Sequence, residues 1–374
     1  MVTIFYGDFL LDMKKKVVVG MSGGVDSSVC AWLLKEQGYE VIGATMQIWQ
    51  ADECKIERDG SCCGISAVED ARRVAECLDI PYYVMNFRDT FQKEVIDRFT
   101  GSYLKGLTPN PCIACNRYVK WGAFLERCRE IGADYIATGH YARVMQLPNG
   151  RYTVQKSVTT EKDQTYVLYS LTQDELSATL MPVGDYTKPE IRKIAEDLKL
   201  PIAHKKDSQD ICFVEDGDYA GFIQREKGTL GQPGPFKTLD GQIVGQHTGT
   251  VQYTIGQRKG LGVALGRPVY VTGINTQSGE VFLGSNEDLF NDVLFATDIQ
   301  YMGVPRFDED TVYHAKIRYS QQSVACKVHY ESEDLIKVTF EEKVRAATPG
   351  QAVVLYTDDW IAGGATIISK DKNL

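Results

Sequence analysis

Three groups of residues in this chain have the types and spacing that chemistry needs. The first is Ser22-Gly23-Gly24-Val25-Asp26-Ser27-Ser28, which follows the apolar run Val17-Val18-Val19-Gly20-Met21 and precedes a helix-like segment from Val29 to Gln37. A strand, a tight glycine turn and a helix start aim backbone N–H groups and the positive end of the helix dipole at one point, which makes an anion site. Two glycines let that backbone approach a phosphate closely. The loop lacks the Gly-Lys-Ser/Thr ending of a Walker motif, and it is not the dinucleotide G-x-G-x-x-G. The second group is Thr108-Pro109-Asn110-Pro111-Cys112-Ile113-Ala114-Cys115-Asn116. Its two prolines predict a rigid, non-helical stretch that delivers Cys115 to the start of a helix over Tyr118–Ile131. A helix start favours a thiolate, so a thiol there is suited to nucleophilic attack. A structural zinc knuckle would need a second ligand pair, and the scattered histidines and adjacent Cys62-Cys63 provide none at zinc spacing. The third group is Cys212, which follows Lys205-Lys206; two nearby cations favour a thiolate there as well.

The elements that must position these residues alternate between strand and helix up to about Cys212. Gly38 reads as the stop of the first helix, and Glu40–Ile48 as a second strand. Ser66 and Glu69 form a capping-box pattern opening a helix over Ala67–Leu78. Tyr82–Phe87 and Asp134–Thr138 read as strands, the latter ending at Gly139-His140, and Thr187 with Glu190 as another capping box before Ile191–Leu198. This alternation predicts an α/β domain with a parallel sheet covered on both faces, over residues 1–215. Ligands in such a domain gather at the carboxyl ends of the strands, where the glycine loop and Gly139-His140 both fall. Glycines then become dense, predicting a small turn-rich central domain over 216–287. From 288 to 374 the period shortens to two, with strands expected over Tyr313–Tyr319, Val324–Tyr330, Leu335–Phe340 and Gln351–Thr357, the pattern of a C-terminal β-barrel.

The 374 residues carry a net charge of −9, which argues against indiscriminate nucleic-acid binding but leaves room for a specific RNA partner on a local basic surface. No apolar run is long enough to span a membrane. Met1–Asp12 lacks a basic leader, and a second methionine at Met13 suggests that these residues are a short disposable extension. Of the ten cysteines, Cys30, Cys77 and Cys128 sit in helical patterns as small packing residues. With no secretion signal, a reducing cytoplasm is the expected compartment, where paired cysteines tend to be catalytic or metal-bound.

The glycine loop resembles the PP-loop of the N-type ATP pyrophosphatases, which adenylate a substrate and release pyrophosphate. Taken with Thr108–Asn116, Ala137-Thr138-Gly139-His140-Tyr141-Ala142, Lys162-Asp163-Gln164-Thr165-Tyr166 and the Cys212 segment, the chain resembles the bacterial-type tRNA-specific 2-thiouridylases. Gly256-Gln257-Arg258-Lys259-Gly260, Arg318-Tyr319 and Pro349-Gly350-Gln351-Ala352-Val353 also fit, so the resemblance covers nearly the whole chain. It implies a Rossmann-like ATP pyrophosphatase domain, a small middle domain and a C-terminal β-barrel. It implies thiolation at C2 of the wobble uridine in tRNAs of the Lys, Glu and Gln type. ATP and Mg²⁺ are the implied cofactors, and the implied partners are tRNA and an upstream sulfur donor, a cysteine desulfurase or persulfide relay protein. ATP contacts are implied at Gly20, Met21, Ser22, Gly23, Gly24, Val25, Asp26, Ser27, Met46 and Gly139. Asn110, Pro111 and Cys112 match the segment that meets the target base. His140, Lys162, Asp163, Gln164, Arg318, Tyr319 and Gln351 match tRNA-contacting positions. Cys212 is the implied persulfide carrier and Cys115 its catalytic partner, with a disulfide between them after turnover.

One residue departs from the pattern. Many family members carry aspartate where this chain has Cys112. Three converging thiols, Cys112, Cys115 and Cys212, would be able to hold an iron–sulfur cluster with one iron open to sulfur. The persulfide route and the cluster route therefore both stand at the level of sequence.

Overall fold

The computed structural model describes residues 14–48, 65–206, 211–214 and 217–369. The suggested extension Met1–Asp12, and Cys54, Cys62 and Cys63, lie outside the described residues.

The first region is built on strands β1 (Lys16–Gly20), β2 (Glu40–Gln47), β3 (Tyr82–Asn86) and β4 (Tyr135–Thr138), with two more, β5 (Ala142–Gln146) and β6 (Tyr152–Lys156), and a short β7 (Thr179–Leu180). The sheet order is β3-β2-β1-β4-β7, and every pairing is parallel. Val17, Val18 and Val19 are fully buried, the continuous apolar run of a strand covered on both faces. Their side chains alternate: Val18 enters one core cluster, Val17 and Val19 the other. Against Val17 and Val19 pack α1 (Val25–Glu36), α2 (Ile65–Cys77) and, later in the chain, a helix over Lys188–Asp197. Against Val18 pack α3 (residues 88–104) and α4 (residues 111–130), through Phe91, Val95, Phe99, Trp121 and Phe124. Both α3 and α4 contain a π-helical segment, Gln92–Asp97 and Cys115–Phe124.

Several expectations shift at element ends. Gln37 is the C-cap of α1 and Gly38, at φ +91°, follows it in the left-handed conformation glycine tolerates. Helix α2 already begins at Ile65, so Ser66 is a first-turn residue and not its cap. The Thr187–Glu190 capping box is present, with the Glu190 carboxylate accepting from the Thr187 N–H at 2.7 Å. Cys30 and Cys128 are buried, and burial pushes the Cys128 thiol up to about 12, but Cys77 is exposed at the end of α2.

The central region carries β8 (Gly234–Thr238), β9 (Ile243–His247), β10 (Tyr270–Asn275) and β11 (Glu280–Gly284) in the order β10-β11-β8-β9, around a core that includes Phe236, Val271 and Val281. The last region carries β12 (Phe290–Tyr301), β13 (Tyr313–Lys316), β14 (Val324–Ser332), β15 (Leu335–Arg345), β16 (Ala352–Thr357) and β17 (Trp360–Ile368). They run β12-β15-β14-β13-β16-β17, and β17 pairs back to β12, closing a six-stranded antiparallel barrel. The hairpin β5–β6 joins this sheet through β17, with Gln155 opposite Trp360. Thr153 Oγ1 donates to the Ile361 carbonyl at 2.7 Å, and Lys156 N–H to that of Asp359 at 2.7 Å. Strands of the first region therefore belong to the barrel sheet, a pairing between distant segments that leaves no periodic mark in the sequence.

Candidate active site

The glycine loop lies where the strand order reverses, between β1 and β4, the crevice in which open α/β sheets hold ligands. Gly20 ends β1, and Met46 at the end of β2 lies beside it, its methyl 3.7 Å from where a Gly20 Cβ would sit. Gly23 has φ +67°, and a Cβ there would collide with the Ala67 carbonyl at 2.3 Å, so both conformation and space require glycine. Gly24 is the N-cap of α1, and its carbonyl accepts from Ser28 Oγ at 2.8 Å and Ser27 Oγ at 3.2 Å. The Ser22 N–H donates to Ser27 Oγ at 3.2 Å, which folds the loop over the first turn. Gly139, just after β4, packs directly on that turn: a Cβ would lie 2.6 Å from the Ser27 nitrogen and 2.8 Å from the Asp26 carbonyl carbon. Asp26 Oδ1 accepts from Tyr141 Oη at 2.8 Å and from Lys188 Nζ at 2.7 Å. Met21, Val25 and Ser27 are buried.

The thiol-bearing helix starts earlier than the prolines suggested. Pro111 is its first residue, and Asn110 is the N-cap, its side-chain oxygen accepting from the Cys112 N–H at 3.0 Å. Proline's fixed φ suits a first helical position, where the missing N–H costs nothing. The dipole argument made for Cys115 therefore applies to Cys112, in the first turn, while Cys115 sits a turn further in and opens the π-helical segment. Cys112 is exposed and Cys115 half-buried. The π segment turns its side chains differently from an α-helix, and it carries Lys120, a residue the sequence did not single out. Lys120 Nζ donates to Asn116 Oδ1 at 2.9 Å and lies 3.4 Å from His140 Nε2. An ammonium group has donors only, so Nε2 accepts and Nδ1–H donates to Thr138 Oγ1 at 2.7 Å. Burial, and secondarily the Lys120 charge, hold the His140 imidazolium well below the usual histidine range.

Cys212 is exposed, in a short segment anchored by Phe213. The Phe213 ring packs on Phe91 and Phe99 of α3 at 5.8 and 5.2 Å between centroids. Ile211 and Cys115 pack against the same core cluster. Lys205 is committed elsewhere, donating to Asp70 at 2.7 Å, so one of the two cations assigned to Cys212 serves α2 instead. Among the described residues no three His, Cys, Asp or Glu side chains gather as ready-made ligands for a metal ion.

In the segment Lys162-Asp163-Gln164, Lys162 ends a turn and the two residues after it are held by the protein. Asp163 is 8% exposed; its Oδ2 accepts from Thr165 Oγ1 at 2.7 Å, while Oδ1 is buried without a hydrogen-bond partner. Gln164 exchanges two hydrogen bonds with the Tyr141 backbone, at 2.8 and 3.0 Å. Tyr319 is 42% exposed and packs edge-on against Tyr166 with ring centroids 6.4 Å apart; partial burial, then the Asp163 and Cys112 charges, raise its phenol pKa. Arg318 Nη2 donates to the carbonyls of Ile255 and Ala346 and to Thr348 Oγ1, at 3.0, 3.2 and 2.6 Å, bridging the central region and the barrel. Gln351 Nε2 donates to the Thr108 carbonyl at 2.7 Å. Among the described residues no helix is long and apolar enough to cross a membrane.

Comparison with known proteins covers the three regions in turn. Residues 15–216 match the family model of a tRNA methyl transferase HUP domain, 220–285 that of a tRNA methyl transferase PRC-barrel domain, and 291–367 that of an aminomethyltransferase β-barrel domain. A tRNA-specific 2-thiouridylase MnmA of Lachnoclostridium phytofermentans is 58% identical over 355 residues, 95% of this chain and 99% of the relative. Those of Clostridium beijerinckii and Clostridioides difficile are 52% and 50% identical, over 96% and 95% of this chain and 99% and 98% of theirs.

Proposed function

The chain belongs to the tRNA-specific 2-thiouridylase family, and from that premise we propose that it replaces the C2 oxygen of the wobble uridine in tRNAs of the Lys, Glu and Gln type with sulfur, at the expense of ATP. One observation carries the reading onto this chain's own residues. The helix bearing Cys112 and Cys115 is tied through Lys120 to His140, whose neighbour Gly139 packs on the first turn after the glycine loop. The thiol helix and the phosphate loop are thus parts of one packed unit.

A uridine C2 carbonyl is a poor electrophile with a poor leaving oxygen. In the proposed reaction that oxygen attacks the α-phosphorus of ATP and pyrophosphate departs. The loop amides of residues 22–27 hold the phosphates, with the positive end of α1 behind them. Gly20, Met46 and Gly139 line the nucleotide side of the crevice. Mg²⁺, when bound with the nucleotide, would neutralise charge on the phosphates. The base leaves the anticodon stack to meet Asn110, Pro111 and Cys112. The outer sulfur of a Cys212 persulfide attacks C2, and AMP leaves. Cys115 thiolate then attacks the inner sulfur of Cys212, which breaks the S–S bond, frees 2-thiouridine and leaves a Cys115–Cys212 disulfide. A two-electron thiol reductant restores both residues, and a cysteine desulfurase or persulfide relay protein reloads Cys212. The protein works in the cytoplasm with its tRNA. No step is routed through an iron–sulfur cluster.

The test separates adenylation from sulfur transfer. Cys115→Ser and Cys212→Ser each abolish 2-thiouridine formation while tRNA-dependent pyrophosphate release continues. Normal thiolation by either variant refutes the two-cysteine route, and pyrophosphate release that ignores tRNA refutes the substrate.

A further inference from the structure

The barrel loop between β15 and β16 closes on Thr108, two residues before Asn110. The Thr108 N–H donates to the Pro349 carbonyl at 2.9 Å, and Gln351 Nε2 donates to the Thr108 carbonyl at 2.7 Å. Both backbone polar groups of one residue are therefore held by a segment more than two hundred residues away. Gly350, between the two partners, has φ +90°, and a Cβ there would lie 3.0 Å from Leu107 Cβ and from the Thr108 nitrogen. The approach needs glycine for both conformation and space.

The loop is itself braced. The Ala346 carbonyl accepts from Thr348 Oγ1 at 2.9 Å and from Arg318 Nη2 at 3.2 Å, and Thr348 is 1% exposed. On the opposite side, Thr108 Oγ1 reaches Thr254 Oγ1 of the central region at 3.5 Å. Between Thr108 and Asn110 stands Pro109, whose fixed φ passes the position of Thr108 on with little slack. Asn110 in turn caps Cys112. The path from the barrel to the start of the thiol helix is thus continuous and stiff.

We infer that Gln351 is a positioning residue for the target base: it fixes Asn110–Cys112 through the Thr108 carbonyl. The inference rests on the reading of Asn110–Cys112 as the segment that meets the base. A group that presets geometry acts on the rate of the bound complex, whereas a group that grips tRNA acts on affinity.

The test uses the full-length protein with Gln351→Met, which keeps the side-chain length and removes the donor. Filter binding gives the tRNA Kd, and a single turnover at saturating tRNA, with persulfide preloaded, gives the thiolation rate. The expected result is a Kd within about twofold of wild type and a rate lower by about tenfold. Gly350→Ala, which pushes the loop off Thr108 while keeping the Gln351 side chain itself, shows the same split. A Kd weakened tenfold or more with the saturated rate unchanged, or no change in either quantity, overturns the inference. Failure of the wild-type protein to form 2-thiouridine marks failure of the functional reading, and is seen before any variant is compared.

Discussion

Gly139→Ala isolates the contact that sets the floor of the nucleotide crevice. The added Cβ meets backbone, not a flexible side-chain end: the Ser27 nitrogen at 2.6 Å and the Asp26 carbonyl carbon at 2.8 Å. Restoring ordinary contact at 3.4 Å requires about 0.8 Å of relative movement between the end of β4 and the first turn of α1. The overpacking costs roughly 1–3 kcal/mol of stability. The larger effect falls on the reaction, because the displaced turn carries the amides that receive the phosphates, and a misplacement near 1 Å costs roughly 100-fold in rate. The assay is tRNA-dependent pyrophosphate release, read as kcat/KM for ATP, alongside thermal melting. Gly38→Ala is the matched control: its φ of +91° strains an alanine by roughly 1–2 kcal/mol, yet nothing lies within 4 Å of the new methyl. The expected outcome is two variants of similar melting temperature, of which Gly139→Ala alone has lost about two orders of magnitude in kcat/KM. Near-wild-type kcat/KM in Gly139→Ala, or equal losses in both, would refute the argument.

The held-down His140 imidazolium makes stability pH-dependent in a defined direction. The unfolded chain takes up the proton near 6.5 and the folded chain resists it, so this contribution is full above that value and is lost as pH falls below it. His140→Gln should therefore lose about 1 kcal/mol less than wild type between pH 7.5 and 5.5 in denaturant melts, and an equal loss would rule the reasoning out. Lys188→Met strips the Asp26 carboxylate of its cation, in a pair only 12% and 29% exposed, at an expected cost of roughly 1.5–3 kcal/mol. The double variant with Asp26→Asn should recover part of that loss in a melting cycle; strictly additive losses would show the pair to be uncoupled. Lys120→Met should lower pyrophosphate release and thiolation together, since it unties the thiol helix from His140; an unchanged profile in both assays would remove Lys120 from the site.

The glycine loop was legible because its signals are local: a buried strand, left-handed glycine and a helix start lie within a dozen residues. The two prolines place the start of the thiol helix too late because Pro111 reads as a breaker, whereas proline at the first helical position is a starter once Asn110 caps it. Lys120 and Lys188 stayed invisible because a lysine in a helical pattern reads as solvated, and their partners at His140 and Asp26 lie far along the chain. The two π-helical segments carry no sequence period that separates them from α-helix. The addition of β5–β6 to the barrel depends on an edge pairing across two hundred residues, set by tertiary packing alone.

The central claim is the identity of the modified atom. Mass analysis of wobble nucleosides in tRNA for Lys, Glu and Gln, from cells lacking this protein, tests it most directly. The expected result is that 2-thiouridine disappears, and that it returns with the wild-type chain but not with Cys212→Ser. Unchanged 2-thiouridine, in cells with no second enzyme of this family, would contradict it.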